Sequence, residues 1–159
     1  MPRSKKVKSI KTKADPLYQN LLLTKLINKS MKDGKKTIAR KQVYLAFEQI
    51  KNKFKKDPIE IFYQALENAR PRMEVRSRRV GGATYQVPYP VSGGRRDSLA
   101  IKWLIAAARS RPNREYHSFA EKLAVELIES AQGQGLAVEK KANIHRMAEA
   151  NKAFAHFRW

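Results

Sequence analysis

Apolar residues recur at steps of three and four along most of the chain, and the residues between these runs set the expected elements. Leu22, Leu23, Leu26, Ile27 and Met31 form the first stripe. Asp15-Pro16 reads as its start, an N-cap followed by proline at the first helical position, and Gly34 as its stop. Val43, Phe47, Ile50 and Phe54 mark a second helix. Asp57-Pro58 repeats the cap-and-proline start, and Ile59, Phe62, Leu66 and Ala69 carry a third stripe to Pro71. A fourth runs through Leu99, Trp103, Leu104 and Ala107 toward Pro112, and a fifth through Phe119, Leu123, Leu127 and Ala131 to Gly133 and Gly135. Val138, Ile144, Met147 and Ala148 lead into a C-terminal tail bearing Phe154, Phe157 and Trp159.

Between the third and fourth stripes the period changes to two. Met73, Val75 and Ser77 alternate with Glu74, Arg76 and Arg78, Gly81-Gly82 interrupts, and Tyr85, Val87, Tyr89 and Val91 alternate again. Period two on both sides of Gly-Gly predicts a β-hairpin. Pro88 and Pro90 lack the N–H that a ladder needs, so the second strand is expected to end or go unpaired there. The expected fold is mainly α: residues 15–159 as one helical domain of about six helices, with a basic β-hairpin arm at about 72–91 between the third and fourth, and residues 1–14 as a basic disordered tail.

Charge turns this scaffold into a binding hypothesis. Thirty-four Lys and Arg against 14 Asp and Glu give a formal net charge of +20 on 159 residues, which repels itself unless a polyanion screens it. Nucleic acid is the expected polyanion. No apolar run approaches a membrane span, and the basic start of the chain lacks the apolar stretch of a signal peptide, so no membrane partner is expected. The absence of cysteine removes disulfides, Cys-ligated metals and thiol nucleophiles. His117, His145 and His156 show no metal-ligand spacing, and no carboxylate pair or nucleophile–base set appears, so neither catalysis nor a cofactor or metal is expected.

The cations cluster. The tail holds Arg3, Lys5, Lys6, Lys8, Lys11 and Lys13 without an acid. Gly34-Lys35-Lys36, just after Lys32, lacks the upstream glycine of a nucleotide-binding loop. It reads equally as a phosphate site at a helix start or as a C-cap glycine with solvated lysines. Residues 72–96 carry six Arg against one Glu, with Arg76, Arg78 and Arg79 on the expected arm and Arg95 and Arg96 ahead of the fourth helix. Arg109, Arg111 and Arg114 extend the basic surface beyond that helix. Tyr85 is open between stacking on a base and covering the arm, whereas Tyr89, nearer the body, reads as packed. From residue 116 onward the charge is nearly balanced, Lys140 and Lys141 apart.

Three stretches carry a resemblance that spans essentially the whole chain. They are Leu26-Ile27-Asn28-Lys29 through Met31-Lys32-Asp33-Gly34-Lys35-Lys36, the hairpin from Glu74 to Pro88, and the ending His145-Arg146-Met147-Ala148-Glu149-Ala150-Asn151-Lys152-Ala153-Phe154-Ala155-His156-Phe157-Arg158-Trp159. Together they resemble the bacterial-type small-subunit ribosomal protein seven family. The resemblance implies a structural, non-catalytic protein of the small ribosomal subunit, a primary binder of its rRNA that docks on the 3′ major domain and nucleates the head. It implies rRNA contacts for Lys8, Lys11, Lys13, Lys35, Lys36, Arg76, Arg78, Arg79, Arg95 and Arg96, and the clustering of cations adds Arg3, Lys32, Arg109 and Arg111 to the expected rRNA-binding residues. It places Val80, Gly81, Gly82, Ala83, Thr84 and Tyr85 near exit-site tRNA and mRNA. Neighbouring head and platform proteins are further implied partners, the bacterial cytoplasmic ribosome is the implied location with an organellar ribosome as the alternative, and no homo-oligomer is expected. From physics alone the competing reading is an architectural DNA binder with a β-arm.

Overall fold

A computed structural model describes residues 12–55 and 57–158. The element order is α1 (Leu21–Ser30), α2 (Lys36–Phe54), α3 (Pro58–Ala69), β1 (Met73–Val80), β2 (Ala83–Pro90), α4 (Gly93–Ser110), α5 (Phe119–Ala131), α6 (Leu136–Ala150) and a terminal 3₁₀ segment (Lys152–Arg158). The fold is therefore mainly helical with an antiparallel hairpin between α3 and α4, as the change of period predicts.

One apolar cluster joins the helices. α5 is its hub, packing on α2, α3, α4 and α6. Its inward row of Ala120, Leu123, Ala124 and Leu127 alternates small and large side chains, so four helices approach it closely. Phe47 of α2 and Phe62 of α3 are fully buried, with ring centroids 6.0 Å apart, and Tyr18 meets Phe47 edge-on at 5.5 Å. Trp103 packs partly buried against the same cluster.

Two expectations fail for physical reasons. Asp15-Pro16 does not start α1. The Asp15 carboxylate accepts from the Leu17 and Tyr18 N–H groups at 3.2 and 3.3 Å, closing a single turn that ends where Gln19 takes φ of 47°. Asn20 then caps α1, its Oδ1 accepting from Leu22 and Leu23 N–H at 2.8 and 3.2 Å. The same dipeptide at Asp57-Pro58 does open α3, the Asp57 side chain accepting from Ile59 N–H. The second failure concerns β2, which stays paired through both prolines: Pro88 faces Val75 and Pro90 faces Met73. Val91 N–H donates to Arg72 C=O, so the hydrogen-bonded pairs are 72/91, 74/89, 76/87 and 78/85, and both prolines fall in the pairs between them. Their nitrogens point away from β1, and the ladder loses nothing.

The hairpin tip is tighter than the sequence pattern conveys. Val80 pairs with Ala83, leaving Gly81 and Gly82 as a two-residue loop with φ of 57° and 91°. Positive φ at both central positions is the requirement of a type I′ turn, which glycine meets without strain.

Candidate nucleic-acid interface

Of the residues expected to meet RNA, Arg3, Lys8 and Lys11 lie outside the described residues. Lys13 is exposed just before the Asp15 turn. That turn is held to the body by Asp15, which is 2% exposed and accepts the Tyr44 hydroxyl at 2.8 and 2.9 Å. Burial, followed by the hydrogen bond to Asp15, pushes the Tyr44 hydroxyl up to about 12, so it remains a donor.

Lys32, Lys35 and Lys36 are exposed on the turn joining α1 and α2, where Lys35 N–H donates to Lys32 C=O and Asp33 and Gly34 take positive φ. α2 begins without a side-chain cap and without an acid in its first turn. α4 begins in the same way, with Gly93, Gly94, Arg95 and Arg96 as its opening residues. Lysines and arginines at the positive end of a helix dipole are electrostatically mismatched, and an anion at those N–H groups relieves the mismatch. By contrast α3 has its Asp57 cap and Glu60, and α5 has Ser118, whose Oγ accepts from Glu121 N–H, and Glu121 itself. Hydrogen bonds to Ser118 and to the His117 N–H lower the pKa of Glu121.

The hairpin arginines are aimed by one carboxylate. Glu74 at the base of β1 is 7% exposed. Arg76 bonds its Oε1, and Arg95 from the first turn of α4 donates to its Oε2 at 2.7 Å. Both guanidinium side chains remain half exposed, at 51% and 50%. Arg76 also lies over the Tyr89 ring, 5.2 Å from its centroid. Arg78 donates to the Tyr89 hydroxyl at 3.2 Å and to the Phe157 carbonyl at 3.0 Å. Arg79, on the opposite pleat from these two, is exposed. Arg96 donates to Pro71 C=O.

The terminal 3₁₀ segment braces the arm. Tyr85 on β2 lies 5.2 Å from both Phe154 and Phe157, whose rings are nearly parallel to each other. This resolves the open reading of Tyr85 toward packing, and Tyr89 is packed as expected. Below the brace, the Arg72 backbone N–H donates to His145 Nε2 at 3.0 Å, and Lys141 Nζ donates to Asn68 C=O at 2.8 Å. Burial, Lys141 and Arg72 lower the pKa of His145, while burial and Arg72 lower that of Lys141, so the hairpin root sits in a positive field.

The two arginines at the far end of α4 do different work. Arg109 Nη2 donates to the Ser30 carbonyl at 2.9 Å, closing the end of α1. Arg111 is 9% exposed and is held by Glu126, at 2.6 Å, and by Glu129. Burial pulls its pKa down, and the bonds and charges of the two glutamates outweigh that and raise it. Glu126 is fully buried and also accepts from Ser130 Oγ and Ala137 N–H. Gly135 packs so close to Ser130 and Glu126 that a β-carbon there would collide. Thus Arg111 belongs to the helical body, and its guanidinium is not presented to solvent as its neighbours are. Sequence reasoning missed Glu74 and Glu126. The signal for Glu126 was its position three residues after Leu123, on the buried side of α5.

Among the described residues no group of His, Asp and Glu could hold a metal ion, and no helix is long and apolar enough to cross a membrane. The family model described as Ribosomal protein S7p/S5e matches residues 2–152. The Small ribosomal subunit protein uS7 of Moorella thermoacetica is 55% identical over 159 residues, all of both chains. That of Thermotoga neapolitana is 58% identical over 145 residues, 91% of this chain and 92% of that protein, and that of Thermosipho africanus 52% over 157, 99% of each. A match on this scale, over nearly the whole chain, shows the family: the chain belongs to the ribosomal protein S7p/S5e family.

Proposed function

We propose that the chain is a structural constituent of the small ribosomal subunit, in the cytoplasm, that binds small-subunit rRNA. It docks on the 3′ major domain and nucleates folding of the head, with residues 80–85 toward exit-site tRNA and mRNA and neighbouring head and platform proteins as further partners. The observation that carries the reading is the fixing of Arg76 and Arg95 by Glu74, which joins the arm and the uncapped start of α4 into one rigid, half-exposed cationic edge. Lys32, Lys35 and Lys36 at the equally uncapped start of α2 supply a second edge. Phosphates of a folded RNA satisfy both, and guanidinium forks suit them. The relatives' names as small-subunit proteins support the same partner.

Sedimentation of a gentle lysate tests the assignment: the chain is expected to travel with the small subunit, and a free or chromosome-bound chain overturns it. Affinity for a 3′ major domain transcript should fall with salt at a log–log slope of roughly −4 to −9, as for six to ten neutralised phosphates. Replacing Arg76, Arg78 and Arg79 together with Gln is expected to flatten that slope by about two to three. An unchanged slope removes the arm from the interface, and equal affinity for duplex DNA at matched salt favours the DNA-binding reading.

A further inference from the structure

The outer half of the arm has little of its own to hold it in place. No residue from 77 to 86 is buried, and the buried side chains of the two strands, Glu74, Val87 and Pro88, all lie toward the root. A two-stranded ribbon without a covered face is marginal in water, so a contact outside the ladder must fix where its tip points. That contact falls on one cross-strand pair. Arg78 and Tyr85 face each other in register, and both reach the terminal 3₁₀ segment: the Tyr85 ring meets Phe154 and Phe157, and Arg78 Nη1 donates to the Phe157 carbonyl. One segment therefore grips both strands at once. It packs chiefly on β2 and only lightly on α6, from which it emerges. At the joint, Asn151 N–H and Nδ2 both donate to the Met147 carbonyl, at 3.1 and 2.8 Å, and Phe154 N–H donates to Asn151 C=O at 3.0 Å, so the turn out of α6 is itself bonded. The segment buries no residue, and neither phenylalanine belongs to the apolar cluster of the body. The aromatic pair thus serves the arm and not the core.

We propose that Phe154 and Phe157 are positioning residues for recognition by the arm: the terminal 3₁₀ segment is a clasp that holds the arm at one angle to the helical body and presents it to RNA already oriented. The inference rests on the RNA-binding reading above and adds to it two uncharged residues that act through the arm and not on the RNA. An oriented ribbon loses less conformational freedom on binding than a swinging one.

The chain has no cysteine, so spin labels placed through Ala83→Cys at the tip and Glu48→Cys on the exposed side of α2 report the arm's angle in the free full-length chain. Their distance distribution should be narrow in the wild type and roughly double in width in Phe154→Ala/Phe157→Ala, as for a segment released into local motion. Phe154→Tyr/Phe157→Tyr should keep it narrow. Affinity of the alanine pair for the 3′ major domain transcript is expected to fall about three- to tenfold, the cost of ordering the arm, with the salt slope unchanged because no charge is removed. Arg79→Gln, on the opposite pleat from Arg78, should cost less affinity in the alanine pair than in the wild type, as expected of residues that act through one element. The urea midpoint should stay at the wild-type value, since the core is untouched. A distribution equally narrow in the alanine pair, one already broad in the wild type, unchanged affinity, a lowered midpoint, or an equal cost of Arg79→Gln in both backgrounds each overturn the clasp and leave the RNA-binding reading standing. A wild-type chain without salt-dependent affinity for the transcript overturns that reading, and the label distances, which need no RNA, still decide whether the segment holds the arm.

Discussion

Two arginine–carboxylate clusters in this molecule are built from the same groups in inverse proportion. At the hairpin root one buried glutamate, Glu74, serves two arginines, Arg76 and Arg95, and both keep half their surface in solvent. At the end of α4 one arginine, Arg111, serves two glutamates, and it is almost wholly enclosed. The first cluster carries one excess positive charge and faces outward; the second carries one excess negative charge and ties α4 to α5. Local stoichiometry and exposure, rather than the presence of an arginine, decide whether its charge is available to a polyanion or is consumed in holding helices together.

The comparison breaks most sharply at Arg111. Arg111→Met strands the fully buried Glu126 without its cation, and about 3–5 kcal/mol of stability should be lost in urea unfolding. A loss below about 1 kcal/mol would mean that solvent reaches Glu126 and that the cluster is no more structural than a surface pair. Glu74→Gln probes the other cluster with a smaller stability effect, about 1 kcal/mol or less, since both arginines retain water. Its signature is in recognition: affinity for random RNA should rise with the added net positive charge, while the ratio of cognate to random binding falls as Arg76 and Arg95 lose their fixed direction. Competition binding at a fixed salt concentration reads that ratio, and an unchanged ratio would show that Glu74 does not aim them.

The smallest effect expected is at the hairpin root. The folded pKa of His145 lies below its ordinary value of 6.5, so the folded state resists its protonation. Its contribution is fully present above pH 6.5 and is lost as the pH falls below it, when the protonated ring can no longer accept the Arg72 N–H. Wild-type stability should therefore drop slightly more between pH 7 and pH 5 than that of His145→Gln, whose amide oxygen accepts at any pH. Parallel pH profiles would show that the ring is solvated.

Much of this was legible in the residues, and the exceptions share a cause. Period two around Gly81-Gly82 located both strands, and the Asp57-Pro58 start was right because that aspartate caps its own helix. Asp15-Pro16 misled because Tyr44, 29 residues away, claims the Asp15 carboxylate, and no local pattern reports a partner at that distance. The division of the arginines is hidden for the same reason: Arg111 meets Glu126 across 15 positions and Arg95 meets Glu74 across 21. Residue type marked the basic surface, and only tertiary pairing separated the charges it presents from those it uses internally.

Pro88 and Pro90 give the arm one more property. The side of β2 turned away from β1 would normally present a row of N–H donors on which a further strand could assemble, and a proline at two consecutive outward positions removes those donors. A long, exposed two-stranded ribbon is in principle a template for edge-to-edge aggregation, particularly in a newly made chain that has not met its RNA. Along this stretch the outer edge of β2 is closed to that route, so the arm can wait in solution as a hairpin instead of recruiting its own copies.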